Sequence, residues 1–348
     1  MTLGRVAAVL APRVKRRLVR LRRRGGILMY HRICHEPCDP WALCVPAQDF
    51  DEQLAVLARR RAAVDLAAFA DESAYTRRGA RLAVTFDDGY LDNLTAALPL
   101  LERHEIPATL FVVGNAIGRD REFWWDGLQR ALLESGPLPP ALEFPFGSGP
   151  HRYLLNDLLP DETSKDELGD PDWRADGGAP GNQRQRLFGT LWGAIVVLEP
   201  SEQDAAIDHL LTWAGQPLTP PAARVPMSPD QFARLAAHPL ISIGSHTLDH
   251  VSLPHLTPAQ QRLQITVGQQ RVEELTGRRP DRFSYPFGRY CDSARAVLRE
   301  LDVPLGCTSV PLPATRADDP CALPRLHATA MDGDRFARWL RTEYGLLR

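Results

Sequence analysis

Apolar residues in this chain fall into short unbroken runs separated by stretches with three-to-four spacing, and the two periods sort much of it into strands and helices. Ile27-Leu28-Met29-Tyr30-His31 opens the series as a strand, and residues 47–61 follow as a helix with Phe50, Leu54 and Leu57 on one stripe. Leu82-Ala83-Val84-Thr85-Phe86 reads as a buried strand that climbs to Asp87 and Asp88 before Gly89 turns the chain. A helix over about 91–104, buried through Leu94, Leu98 and Leu101, leads to a strand over 106–113, so this part predicts a strand–helix–strand unit with a parallel pair. The alternation resumes at Ser228-Pro229, a helix start with proline in the first turn. It continues through the stretch 241–250, a strand ending in polar residues, a helix from Pro258 to Leu275 ended by Gly277, the run Phe283-Ser284-Tyr285-Pro286, a helix near 292–301 and a strand near 304–309. Leu323-Pro324-Arg325-Leu326-His327-Ala328 and a last helix with Phe336, Trp339 and Leu340 on one face complete it. About seven strand-like runs with helices between them predict an α/β fold, a (β/α) barrel with fewer than eight full units.

Two stretches break the pattern. Residues 115–226 begin with an amphipathic helix from Phe123-Trp124-Trp125 through Leu132 and Leu133, then shift to Pro, Gly, Asp and Glu. Such punctuation predicts a long insertion of loops around two or three helices, near 183–198 and 201–214 among them, at the rim of a barrel site. Trp124 and Trp125 suit core packing or stacking on sugar rings. Residues 1–24 place Leu3, Val6, Leu10, Val14, Leu18 and Leu21 three or four apart among arginines, with no acidic residue before Glu36. That is the pattern of a basic amphipathic segment able to lie on an anionic membrane surface, although Pro12 interrupts it. A helix docked on the barrel or a basic arm would share the pattern.

The 348 residues carry a formal net charge of −2, which gives no electrostatic case for nucleic acid. No window approaches the ~20 apolar residues of a membrane span, and the apolar core Val6–Leu10 is short for a signal peptide. The expected location is the cytoplasm, peripheral at the inner membrane face if residues 1–24 bind there. The six cysteines do not read as a disulfide framework in so long a chain, and Cys34, Cys38 and Cys44 with His31 are too loosely spaced for a convincing zinc knuckle.

The candidate chemistry sits at two strand ends. Asp87 and Asp88 would point into a crevice at the carboxyl edge of their strand, and a solvated Asp-Asp-Gly turn is the bland alternative. In Ile241-Ser242-Ile243-Gly244-Ser245-His246-Thr247-Leu248-Asp249-His250 two histidines stand four apart. On a helical turn His246 and His250 would share one face, a spacing that suits two imidazoles on one metal. Two histidines and a carboxylate form a common catalytic zinc set, and a spare carboxylate beside it is where a general base is wanted.

At these residues the chain resembles the polysaccharide deacetylases, carbohydrate esterase family 4. Thr85-Phe86-Asp87-Asp88-Gly89-Tyr90 and Ser245-His246-Thr247-Leu248-Asp249-His250 are similar to the family's first two motifs, and Phe283-Ser284-Tyr285-Pro286-Phe287-Gly288 to a third. The resemblance covers roughly residues 26–114 and 227–340 and implies a distorted (β/α) barrel over 25–348 with the insertion at about 115–226. It further implies a metal held by Asp88, His246 and His250, with Asp87 as base. Zinc suits this set best, while cobalt, nickel and iron remain open by ligand type. Asp92 and Asp249 are expected as solvated or supporting acids.

The third motif departs from the family pattern, since Ser284 stands where many members have an arginine that orients the catalytic aspartate. Arg325 is the first candidate to take that post. Tyr285-Pro286-Phe287 keeps the turn, with the Phe287 N–H offered to an oxyanion. A Leu-x-His near the end of family members supplies the general acid, and Leu326-His327 points to His327, with side chains alternating so that Arg325 and His327, or else Leu326, face the site. Tyr-His pairs like Tyr30-His31 also occur in the family, so His31 is a candidate for the rim. The implied activity is metal-dependent removal of an N-acetyl group from a sugar of a glycan or glycan precursor, with a carbohydrate as partner. Hydrolysis of another C–N bond, as in a cyclic imide or ureide, and non-catalytic glycan binding are the alternatives.

Overall fold

The continuous apolar runs become the strands of one curled sheet. The structure, a computed structural model, describes residues 24–71, 73–75, 81–147, 149–155 and 173–347. The basic segment anticipated over 1–24 lies outside the described residues except for Arg24, which begins the first strand. Among the described residues ten strands occur: β1 (Arg24–Tyr30), β2 (Leu82–Asp88), β3 (Ala108–Val112), β4 (Ala141–Phe144), β5 (His151–Leu154), β6 (Ile241–Ser245), β7 (Arg282–Ser284), β8 (Leu305–Cys307), β9 (Ala314–Thr315) and β10 (Leu326–His327). Seven lie side by side in the order β10-β1-β2-β3-β6-β7-β8, every pair parallel. The two edges meet at Leu323, whose N–H donates to the Gly306 carbonyl and whose carbonyl accepts from the Thr308 N–H, at 2.7 and 2.8 Å. The order of elements thus gives the distorted seven-stranded barrel expected of it, and β9 adds a short antiparallel pairing to the start of β1.

The reason for the continuous apolar pattern is visible in β2 and β3, each buried along its whole length. Barrel interior lies on one face and helices on the other. Leu28, Val84, Leu110 and Phe86 pack outward against Phe50, Leu54 and Leu57 of the helix Ala47–Arg59 and against Leu94, Leu101 and Phe336 of neighbouring helices. Helix entries are capped where the sequence promised. Ser228 and Gln231 form a reciprocal box before the helix Pro229–Ala236, Thr257 and Gln260 do so before Pro258–Thr276, and Gly277 closes the latter at φ 69°. Each such cap is worth about 1 kcal/mol.

Two details differ from the expected elements. The helix anticipated over 91–104 opens with a wide π turn at Asn93–Ala97 and becomes α-helical only over Leu98–His104. Pro99 has no N–H to return to the preceding turn, and the ladder widens ahead of it. The insertion carries the helices Trp124–Leu133, Gln183–Ile195 and Pro200–Trp213, and also a hairpin of β4 and β5 that the loop-like composition concealed. Its apolar residues form a second core, with Leu128, Leu132, Phe144, Phe188, Leu191 and Leu210 fully or almost fully buried. No helix among the described residues is long and apolar enough to cross a membrane.

One glycine ties a barrel helix to the loop after β6. A methyl group on Gly268 would lie 2.5 Å from the Thr247 carbonyl carbon and 2.7 Å from the Leu248 nitrogen. In an open helix Gly→Ala stabilises by about 1 kcal/mol. Here Gly268→Ala is expected to destabilise by about 1–3 kcal/mol through overpacking, measured by urea denaturation. A gain in stability would show that the loop yields freely.

Candidate metal centre and active site

The carboxyl ends of the parallel strands converge on one cleft of about 380 Å³, lined by residues of β1, β2, β10, the loops after β6, β7 and β8, and the insertion. That is the end of a (β/α) barrel where functional side chains gather. Asp87 and Asp88 close β2, and His246 follows β6 directly. Asp88 Oδ1 is 3.5 Å from His246 Nε2 and 3.3 Å from His250 Nε2, and one ligand atom from each of the three lies within 4.8 Å of the others. Two bonds of zinc length spread at a tetrahedral angle separate their ligand atoms by about 3.3 Å, so the spacing fits a metal. Asp88 Oδ1 is buried without a hydrogen-bond partner, an acceptor that a cation would satisfy. His246 Nδ1 donates to the Ser284 carbonyl at 2.7 Å, which leaves Nε2 unprotonated and aimed at Asp88. Donor set, spacing and tautomer all suit a divalent ion.

The histidine pair does not reach this position by sharing a helical face. Residues 246–250 are a loop, and Thr247 and His250 take left-handed backbone angles, φ 66° and 56°. Thr247 Oγ1 accepts from the His250 N–H at 3.0 Å and pins the turn. Asp88 is left-handed as well, at φ 79°, and so is Phe287 at φ 57°. Non-glycine residues held there cost on the order of 1–3 kcal/mol each and persist only where their surroundings enforce them.

Asp87 is held by a fully buried fork. Arg325 Nη1 donates to Asp87 Oδ1 at 2.8 Å and Nη2 to Oδ2 at 2.5 Å. The same guanidinium donates to Thr85 Oγ1, Ser284 Oγ and the Thr308 carbonyl, and Ser284 Oγ itself donates to Asp87 Oδ2 at 3.1 Å. Burial alone would raise the Asp87 carboxyl, but Arg325 outweighs it and holds the group well below the usual carboxylate range. Asp88 moves the other way, raised chiefly by burial. The two adjacent acids are therefore driven apart by their surroundings.

His327 lines the cleft and Arg325, on the same side of the strand, is fully buried and reaches Asp87 beneath it, while Leu326 points into the barrel's outer core, as strand alternation requires. His327 Nε2 and His31 Nδ1 are both buried without partners, and the rings meet edge-on at 5.7 Å. Phe287 covers His250 with its ring at 4.6 Å, and Trp125 covers it from another side at 4.5 Å. Trp125 Nε1 donates to the Tyr90 hydroxyl, which donates to Asp126 Oδ2 at 2.8 Å, so the ring is fixed from beneath.

Tyr285 and Pro286 do not line the cleft. Tyr285 is fully buried with its hydroxyl donating to the Cys321 carbonyl, and it packs on Phe283, because the chain after β7 turns it into the barrel wall. Asp92 is not solvated either. It is buried, accepting from Arg32 Nε and the Ile33 N–H, whereas Asp249 accepts from Asn115 and Gln264 beside the histidine loop. Trp41, Trp192, Asp176 and Arg289 also line the cleft and escaped sequence reasoning, since Trp41, Asp176 and Arg289 sit in irregular segments, Trp192 lies on the insertion helix Gln183–Ile195, and no motif surrounds any of them. Trp41 and Trp192 pack at 5.0 Å, and Arg289 lies over the Trp192 ring.

Two outcomes are expected. Arg325→Met leaves Asp87 as an uncompensated buried charge and costs about 3–5 kcal/mol in urea denaturation. Adding Asp87→Asn should return most of that loss, and an equal loss in both variants would place the cost elsewhere. In metal-free protein, burial lowers His31, His246 and His327 to about 4 and His250 to about 3. The unfolded chain then binds protons that the fold refuses, so stability is full above the ordinary histidine value of about 6.5 and falls as pH drops toward those values. Each histidine contributes a slope of up to about 1.4 kcal/mol per pH unit, and His327→Gln should remove one such share from melts taken across that window.

Comparison with known proteins bears on the family and the fold. Residues 74–136 and 209–306 match the family model described as polysaccharide deacetylase. Bacillus subtilis YxkH, provisionally named a polysaccharide deacetylase, is 29% identical over 117 residues, 33% of this chain and 42% of the relative's length. The match thus spans under half of that relative. Among solved structures, the Streptococcus pyogenes deacetylase PplD in complex with acetate superposes with a TM-score of 0.51 at 16% identity, covering 91% of this chain and 98% of the other. The polysaccharide deacetylase BC0361 from Bacillus cereus gives 0.54 at 13% identity, over 91% and 69%. Family pattern, curated relative and fold point the same way as the two short motifs: the chain is similar to the polysaccharide deacetylases, and it folds as the same distorted barrel.

Proposed function

We propose that the protein is a metal-dependent carbohydrate deacetylase, hydrolysing the N-acetyl group of a sugar in a glycan or glycan precursor. The observation that carries this reading is the convergence of Asp88, His246 and His250 beside an ionised, Arg325-held Asp87 at the floor of a cleft. A bound divalent ion, zinc by the donor set, supplies Lewis acidity toward the acyl oxygen and lowers the pKa of water.

The chain's own residues do the remainder. Asp87 takes the proton from the attacking water, and the Arg325 fork keeps its carboxylate in one orientation, the post that Ser284 leaves open. His327, with an unpartnered Nε2, passes a proton to the departing amine. The Phe287 N–H stands ready for the developing oxyanion. Trp125 and Phe287 exclude water from His250, and Trp41 and Trp192 offer apolar faces on which a sugar ring stacks.

Elemental analysis paired with acetate release from a panel of N-acetylated sugars tests the whole reading. Wild type is expected to hold one metal and release acetate, and His246→Ala to lose both. Metal without acetate from any sugar would overturn the choice of substrate and keep the hydrolase. Absence of metal after reconstitution would overturn the mechanism.

A further inference from the structure

Two thiols at the edge of the cleft wall stand unusually close. Cys34 Sγ and Cys44 Sγ are 3.1 Å apart, about 1 Å from the separation of a bonded pair. Their backbones are already in place, because Arg32 and Cys44 form a bridge, with the Arg32 N–H donating to the Leu43 carbonyl and the Val45 N–H to the Arg32 carbonyl. Asp39 accepts from the Leu43 and Cys44 N–H groups at 2.9 Å each and holds the turn between them. Cys34 is half-exposed and Cys44 buried, which makes Cys34 the sulfur an external reagent meets first. The contact with Cys34 and, after it, burial raise the Cys44 thiol, as expected of the second, internal partner. Cys38 lies in the same loop but is buried, with its carbonyl accepting from Gln129.

We propose that Cys34 and Cys44 are a disulfide-forming pair whose closure braces the segment that carries Trp41 and Leu43 into the cleft. The Cys34 thiolate attacks one sulfur of a low-molecular-weight disulfide and expels one thiolate. Cys44, giving its proton to solvent, then attacks the Cys34 sulfur and expels the second. Both cysteine sulfurs are oxidised, the small disulfide is reduced to two thiols, and the two protons end on these. The ring so closed contains Trp41, which packs on Trp192 across the cleft, and Leu43. A closed loop has fewer open conformations to visit, so the wall should fluctuate less. The inference goes beyond the proposed activity and does not rest on it.

The test treats the reduced full-length protein with oxidised glutathione, traps remaining thiols with iodoacetamide, cleaves after Arg32 and Arg59 with trypsin, and reads by fragmentation which of the three cysteines in the peptide 33–59 carries the label. A Cys34–Cys44 link lighter by two hydrogens is expected, lost in Cys34→Ser and kept in Cys38→Ser. Full alkylation of Cys34, a Cys34–Cys38 link, or glutathione retained on Cys34 would each overturn the pairing. Amide exchange over the Cys38–Cys44 segment should slow several-fold on oxidation. Equal rates in the two redox states would overturn the bracing role.

Discussion

The salt bridge between Arg325 and Asp87 is the constraint around which the site is built. Both groups are out of water, and an isolated charge of either sign would be intolerable there. The guanidinium is satisfied only because it reaches four groups from three places at once: Thr85 and Asp87 on β2, Ser284 at the end of β7, and the Thr308 carbonyl after β8. These partners surround it only when the barrel has curled and its last strand has entered beside β1. Closure of the fold and ionisation of Asp87 are consequently one event, and a chain that paired its strands without closing would leave the aspartate uncompensated.

The same economy governs the backbone. Asp88, Thr247, His250 and Phe287 are all left-handed, and all bring a side chain or a turn to the cleft. Helix Pro258–Thr276 presses on Thr247 where Gly268 permits close approach, and Thr247 Oγ1 holds the turn to His250. Capped, well-packed helices outside the barrel supply the rigidity that such strain requires.

Much of this was legible in the sequence, and the failures have physical causes. β2 could be read because a strand buried on both faces has no charged residue until its end, which makes Asp87 and Asp88 conspicuous. The histidine pair was found through its spacing although the local geometry is a loop, since a tight left-handed turn and a helical turn both bring positions four apart together. Tyr285 was misplaced because a motif gives the order of residues but not the direction in which the chain turns after a three-residue strand. Trp41 and Trp192 were invisible because they meet from segments about 150 residues apart, and nothing local marks such a contact. The hairpin β4–β5 was hidden by a Gly-Ser-Gly-Pro link that resembles open loop.

The direction of β1 has a consequence for how the protein would present itself to its surroundings. The strand enters at Arg24 and leaves at Tyr30, immediately before His31 at the cleft, a path of about 20 Å for its seven residues. The described chain therefore enters the barrel at the pole opposite the opening. Anything fixed to Arg24 would meet the back of the barrel and leave the mouth of the cleft clear.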